Sequence, residues 1–206
     1  MKDEAPTVFV VDDDAAVRKA VARLLHSVQI KAVVFASPAE FFAAYDPDFA
    51  GCLLLDLELP GLNGLEVQRE LARRGGHLPI IFLSAHGDVP ISVQAMKNGA
   101  VDFLTKPVRA DVLRATVRAA FEKDHQARVV RAELADIEAR LATLTPREHE
   151  VLDQVVAGHL NKQIAGDLGT GEHTVKVHRA HVMEKMKVQS VADLVRLVER
   201  VRATRR

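Results

Sequence analysis

Five short apolar runs recur along the first 121 residues, and each is followed by a stretch patterned for a helix. The first run, residues 7–11, is β-branched and uninterrupted; residues 15–27 then carry Val17, Val21, Leu24 and Leu25 on one face, with Val28 just beyond. Further strands are expected at 31–35, 52–55, 79–83 and 101–104, with helices at 38–45, 65–74, 90–98 and from about residue 109. Runs that are continuously apolar, rather than alternating, suit parallel strands buried on both faces. The pattern predicts an α/β fold, a five-stranded doubly wound parallel sheet.

Beyond the sheet the periodicity changes. Residues 108–145 contain neither glycine nor proline, enough for one helix of roughly 57 Å at 1.5 Å per residue. Within it Val130, Leu134, Ile137, Leu141 and Leu144 are spaced 4, 3, 4, 3. That seam leaves two readings open, an amphipathic helix lying on its own domain or a short coiled coil between two chains. A new helix starts at Thr145-Pro146-Arg147-Glu148, with Thr as N-cap, Pro at the first helical position and Glu at the third. Residues 161–168 and 172–186 are helical in pattern and are separated by Gly169-Thr170-Gly171, a helix-turn-helix arrangement. The expected layout is an α/β domain over 1–121, a helical linker over 122–143 and a small all-α domain over 144–206.

Composition narrows the class. Of 206 residues, 48% are apolar and 27% charged, which is globular rather than disordered. No apolar run is long enough to span a bilayer, the first residues lack a signal-peptide pattern, and the one cysteine, Cys52, cannot form an internal disulfide. A soluble protein of the cytoplasm, with no membrane partner, is expected. The formal net charge of zero conceals a gradient: residues 1–121 carry 13 basic against 15 acidic side chains, and residues 146–206 carry 11 against 8. Any polyanion should therefore bind at the back.

Candidate chemistry lies where the apolar runs end. Ligands of open parallel sheets sit beyond the carboxyl ends of the strands. Asp12, Asp13 and Asp14 follow the first run, Asp56 the third, Ser84 the fourth, and Lys106 with Pro107 the fifth. Carboxylates 5 Å apart repel by about 3 kcal/mol at an effective dielectric near 20, so such a cluster calls for a cation. Carboxylate oxygens without His or Cys suit Mg²⁺ rather than zinc. An aspartate can also attack phosphorus, with Asp56 the best nucleophile because it directly ends the most apolar strand. Lys106 and Ser84 could then contact the transferred group. Alternatively, Asp12 to Asp14 simply cap a helix, Ser84 is a turn residue and Lys106 a solvated charge.

Residues 1–121 resemble a response-regulator receiver domain. The matching features are the acidic pair, Asp56 at 43 residues beyond Asp13, Ser84 28 residues later, the Lys106-Pro107 pair and the loop from Leu57 to Gly64. The resemblance implies that Asp12 and Asp13 help bind Mg²⁺, with the backbone carbonyl of Glu58 as a further ligand. It also implies that Asp56 accepts phosphate from a sensor histidine kinase, that Ser84 and Lys106 contact the phosphoryl group, and that Phe103 is an aromatic switch turning inward with Ser84. A cis Lys106–Pro107 peptide is expected. The stretch from Ser84 to Pro90 resembles the FixJ-like branch.

In the tail, residues 172–186 place Val175, Val182, Met183 and Met186 inward and Lys176, His178, Arg179 and Lys185 outward. Residues 144–201 resemble the LuxR-type DNA-binding domain of NarL/FixJ regulators, on Leu144-Thr-Pro-Arg-Glu148, Asn161-Lys162, Ile164-Ala165 and Thr174-Val-Lys-Val-His178. By that resemblance Lys176 and Val177 read bases in promoter DNA, while Asn161, Lys162, Thr174, Arg179 and Lys185 contact phosphates. Thr170 and Gly171 stand where the family usually has an apolar residue and serine, which predicts a softly held recognition helix, ordered on DNA. A metal site at His178 and His181 lacks completing ligands.

Together the resemblances imply a phosphorylation-switched transcription factor rather than an enzyme. It would form a homodimer when phosphorylated and act, as an activator, through RNA polymerase. The alternatives are a phosphate-independent DNA-binding protein with a vestigial receiver, and a Mg²⁺-dependent phosphohydrolase.

Overall fold

The computed structural model of the chain describes residues 5–85 and 89–204, so His86, Gly87 and Asp88 of the branch-like stretch lie outside the described residues. The chain divides into two compact units, residues 1–128 and 129–206. The division falls inside the 122–143 stretch.

The first unit alternates β1 (Thr7–Val11), α1 (Ala15–Ser27), β2 (Lys31–Phe35), α2 (Pro38–Ala44), β3 (Gly51–Asp56), α3 (Gly64–Arg73), β4 (Ile80–Ser84), α4 (Val89–Lys97) and β5 (Asp102–Thr105). It closes with the first part of α5 (Ala110–Ala142). All strands are parallel, in the order β2-β1-β3-β4-β5. The expected five-stranded doubly wound sheet is therefore the observed one. Alternation along the strands feeds two cores. Phe9, Val11, Leu53, Leu55 and Phe82 point into one, together with Phe41 and Val67. Val8, Val10, Leu54, Ile81 and Leu83 point into the other, with Leu25, Leu113 and Val117. Full burial of each such side chain contributes about 1.5–3 kcal/mol. Cys52 packs among the second set as expected, and burial, reinforced by the charge of Asp124, pushes its thiol far above the ordinary range. The edge strand β2 departs from the buried pattern, with Val33 and Val34 exposed.

The second unit holds the remainder of α5, then α6 (Pro146–Val156), α7 (Asn161–Asp167), α8 (Glu172–Lys185) and α9 (Val191–Thr204). Thr145 and Glu148 form a reciprocal capping box at the start of α6, with Pro146 in the first turn. The α5 seam is filled by its own chain: Ile137 and Leu144 are buried, and Leu134 and Leu141 pack beside them, against Val151, Leu152, Val182 and Val198. Of the two readings left open for the seam, the helix lying on its own domain is the one observed. Only Val130 stays largely exposed. Arg140, donating to the Met186 carbonyl at 3.1 Å, and an Arg200–Glu133 ion pair fasten the same stretch.

The turn before α8 carries the expected gap in capping. α8 runs from Glu172 with Gly171 as its N-cap and no side-chain cap bond, so the missing acceptor is real. Thr170 N–H donating to the Ala165 carbonyl at 3.0 Å closes α7 ahead of it, and buried Val175 and Val182 anchor it. Tertiary burial outweighs the absent cap.

Candidate functional site

Register brings the strand ends together. Val11 pairs with Leu55, Asp56 with Leu83 and Ser84 with Thr105, so the residues after each strand meet at one edge. Asp12, Asp13 and Asp56 each offer a carboxylate oxygen within 4.8 Å of the others. The Lys106 ammonium donates to Asp12 Oδ2 at 2.7 Å and to Asp56 Oδ2 at 2.9 Å. Ser84 is fully buried, and its carbonyl accepts from the Lys106 backbone N–H at 2.7 Å. The Lys106–Pro107 peptide is cis, as expected. Glu58, its side chain exposed, donates its N–H to Asp56 Oδ1 at 3.3 Å. A Cβ at Gly64 would come within 2.6 Å of the Asp56 carbonyl, so only glycine lets α3 start this close to the Asp56 loop.

The three leading aspartates separate by role. Asp14 is the N-cap of α1, accepting from Ala16 N–H at 2.7 Å, so the helix-capping alternative holds for that residue alone. Asp12 is fully buried and accepts from the Asp14 N–H at 2.9 Å. Asp13 is exposed. Burial, opposed by Lys106, leaves the Asp56 carboxyl above its ordinary value. Burial also works against the Lys106 ammonium, but its bonds to Asp12 and Asp56 prevail and raise it. Oxygen-only donors with one neutralising ammonium fit a hard divalent cation such as Mg²⁺. Phe103 is half-buried on β5, its ring centroid 6.5 Å from that of Phe82.

Sequence reasoning missed Arg18. From the first turn of α1 its Nη1 donates to the Asp12 carbonyl at 2.7 Å and the Asp13 carbonyl at 2.8 Å. A cation there opposes the helix dipole, and helical side chains lean toward the N-terminus; together those two facts were the available signal.

Comparison with known proteins matches this geometry. Residues 8–118 match the response regulator receiver domain, and residues 142–198 match the bacterial regulatory proteins of the luxR family. The chain belongs to the NarL/FixJ family of response regulators. It is 47% identical over 192 residues to Nodulation protein W of Bradyrhizobium diazoefficiens, covering 93% of this chain and 85% of that protein. It is 42% identical over 194 residues to the transcriptional regulatory protein FixJ of Azorhizobium caulinodans, covering 94% and 92%. The solved structure of the response regulator StyR superposes with a TM-score of 0.84 at 42% identity, covering 95% of this chain and 99% of that one. The regulator is thus a two-component response regulator with a receiver and a LuxR-type DNA-binding domain. No helix among its described residues is long and apolar enough to cross a membrane.

Within the helical unit, Lys162, Thr174, Lys176 and Val177 are exposed on α7 and α8. Arg179 Nη1 donates to Asn161 Oδ1 at 2.9 Å, so these two half-buried residues hold one another across the helices. Lys185 needs correction as a phosphate contact. Its ammonium turns inward, donating to Glu148 Oε2 at 2.6 Å and to the Thr143 carbonyl at 3.1 Å. Glu148 is buried, and the Lys185 bond, with that from Thr145 N–H, brings its carboxyl down to about 2. Lys185 is a structural lysine because Glu148 requires a partner. His178 and His181 join no metal-ligand cluster among the described residues.

Proposed function

We propose that Asp56 accepts a phosphoryl group from the phosphohistidine of a sensor histidine kinase and that the modified regulator pairs and binds promoter DNA. The observation that carries this is the meeting of Asp12, Asp13 and Asp56 with the Lys106 ammonium at the carboxyl edge of the sheet. Asp12, Asp13, Asp56 and the Glu58 carbonyl would hold Mg²⁺, which when bound supplies positive charge against the phosphoryl oxygens. An Asp56 carboxylate oxygen forms the new bond to phosphorus while the bond from phosphorus to the histidine nitrogen breaks, its electron pair leaving with the imidazole. Lys106, already bonded to Asp56, neutralises the added charge, and the Ser84 hydroxyl hydrogen-bonds a phosphoryl oxygen.

That charge draws Ser84 toward Asp56, Phe103 follows, and the face of α4, β5 and α5 becomes a homodimer surface. Val89, Val93 and Met96 leave that face of α4 apolar and exposed. Pairing sets two α8 helices about one DNA turn apart. There Lys176 and Val177 read base edges, and Lys162, Thr174, Asn161 and Arg179 meet phosphates. The regulator works in the cytoplasm as an activator, through RNA polymerase. The test is the size and DNA affinity of the full chain with and without beryllofluoride and Mg²⁺, in wild type and Asp56→Asn. The wild type should dimerise and bind DNA more tightly, and the variant should not. Equal behaviour of the two proteins would favour a vestigial receiver, and rapid turnover of generic phosphate esters a phosphohydrolase.

A further inference from the structure

Asp13 differs from its neighbours in how it is held. Asp12 is fixed by Lys106 and by the Asp14 N–H, and Asp56 by Lys106 and the Glu58 N–H. Among the described residues the Asp13 carboxylate accepts no hydrogen bond, and the side chain is exposed. Its position relative to Asp12 and Asp56 therefore depends on its backbone. The β1–α1 loop leaves two successive carbonyls there, those of Asp12 and Asp13, and the Arg18 guanidinium takes both through one nitrogen, at 2.7 and 2.8 Å. No carboxylate of the described residues forms an ion pair with Arg18, so it acts on the loop and leaves the carboxylate oxygens to a cation.

We infer that Arg18 is a positioning residue for the divalent-cation site, holding the loop so that the otherwise unheld Asp13 carboxylate stays within reach of Asp12 and Asp56. This inference rests on the proposed Mg²⁺ reading of that site. Partners that orient metal ligands typically change affinity by 10–100-fold when lost. A lysine at this position keeps the charge, but its side chain is one bond shorter and holds its ammonium farther from the two carbonyls than Arg18 Nη1 reaches.

The test is calorimetric titration of Mg²⁺ into the full chain as wild type, Arg18→Lys, Arg18→Met and, as a control on the same helix, Arg23→Lys. Arg23 is exposed and, among the described residues, donates only to the Lys19 carbonyl, at 3.2 Å. Arg18→Lys should bind Mg²⁺ about 10-fold more weakly, at the low end of that range, with its thermal midpoint unchanged. Acetyl phosphate should then label it at the wild-type rate once Mg²⁺ saturates, so the defect lies in the Mg²⁺ requirement and not in the maximal rate. Arg18→Met should also weaken binding, despite losing a repelling charge, and Arg23→Lys should match wild type. Unchanged or tighter Mg²⁺ binding in both Arg18 variants overturns the inference, as does equal weakening in Arg23→Lys. If the wild type itself takes up no Mg²⁺, the parent reading of the site fails instead.

Discussion

The two units place their polar residues in opposite ways. At the sheet edge Asp12, Asp56 and Ser84 are buried, as far from water as the apolar strands that carry them. In the helical unit the candidate DNA contacts Lys162, Thr174, Lys176 and Val177 are exposed, and the half-buried ion pair of Glu148 with Lys185 serves the fold. Burial makes each carboxylate costly unless a counter-charge is present, so the first site is poised for added charge. An exposed basic face costs little and gains only when a polyanion arrives. One region stores electrostatic tension, and the other offers a landing surface.

The largest expected effect comes from removing the tension. Asp56→Asn should abolish phosphoryl uptake from acetyl phosphate on a phosphate-affinity gel, with the far-ultraviolet circular dichroism of the wild type retained. If instead the loss comes with unfolding, the residue belongs to the fold as Glu148 does. Lys185→Met probes the opposite case. Leaving the buried Glu148 without its ammonium partner should cost about 1–3 kcal/mol in urea unfolding, while the salt slope of DNA binding stays unchanged. A reduced salt slope at full stability would restore Lys185 to the phosphate contacts.

Lys176→Ala should cost about 1–3 kcal/mol on the preferred site and relax sequence choice there. Lys162→Ala should weaken all sequences alike and lower the salt slope by about one. Acid offers a gentler probe. The Glu148 carboxyl falls from 4.5 to about 2 on folding, so its contribution is present above pH 4.5 and fades as pH drops toward 2. Glu148→Gln should lose that part of the acid dependence in circular dichroism melts.

Legibility followed the same division. Carboxylates that interrupt apolar runs stand out because burial makes them expensive, so Asp12, Asp56 and Lys106 could be placed from spacing alone. Strand positions were readable because both faces are buried, and β2, which is not, shows the pattern weakening at an edge. Arg18 escaped because its partners are backbone carbonyls, which leave no mark in a sequence. Lys185 was misplaced because a basic residue on a recognition helix looks identical whether it faces DNA or a buried glutamate. The seam on α5 was ambiguous because a heptad pattern states that one face is apolar without naming what covers it.

The most direct measurement is chemical location of the phosphoryl group. The full chain is treated with acetyl phosphate and Mg²⁺, the acyl phosphate is trapped by borohydride reduction, and the peptides are mapped by mass spectrometry. Reduction confined to Asp56 and absent from the Asp56→Asn protein is the predicted result. An unmodified Asp56, or label at another carboxylate that persists in the variant, would contradict the account.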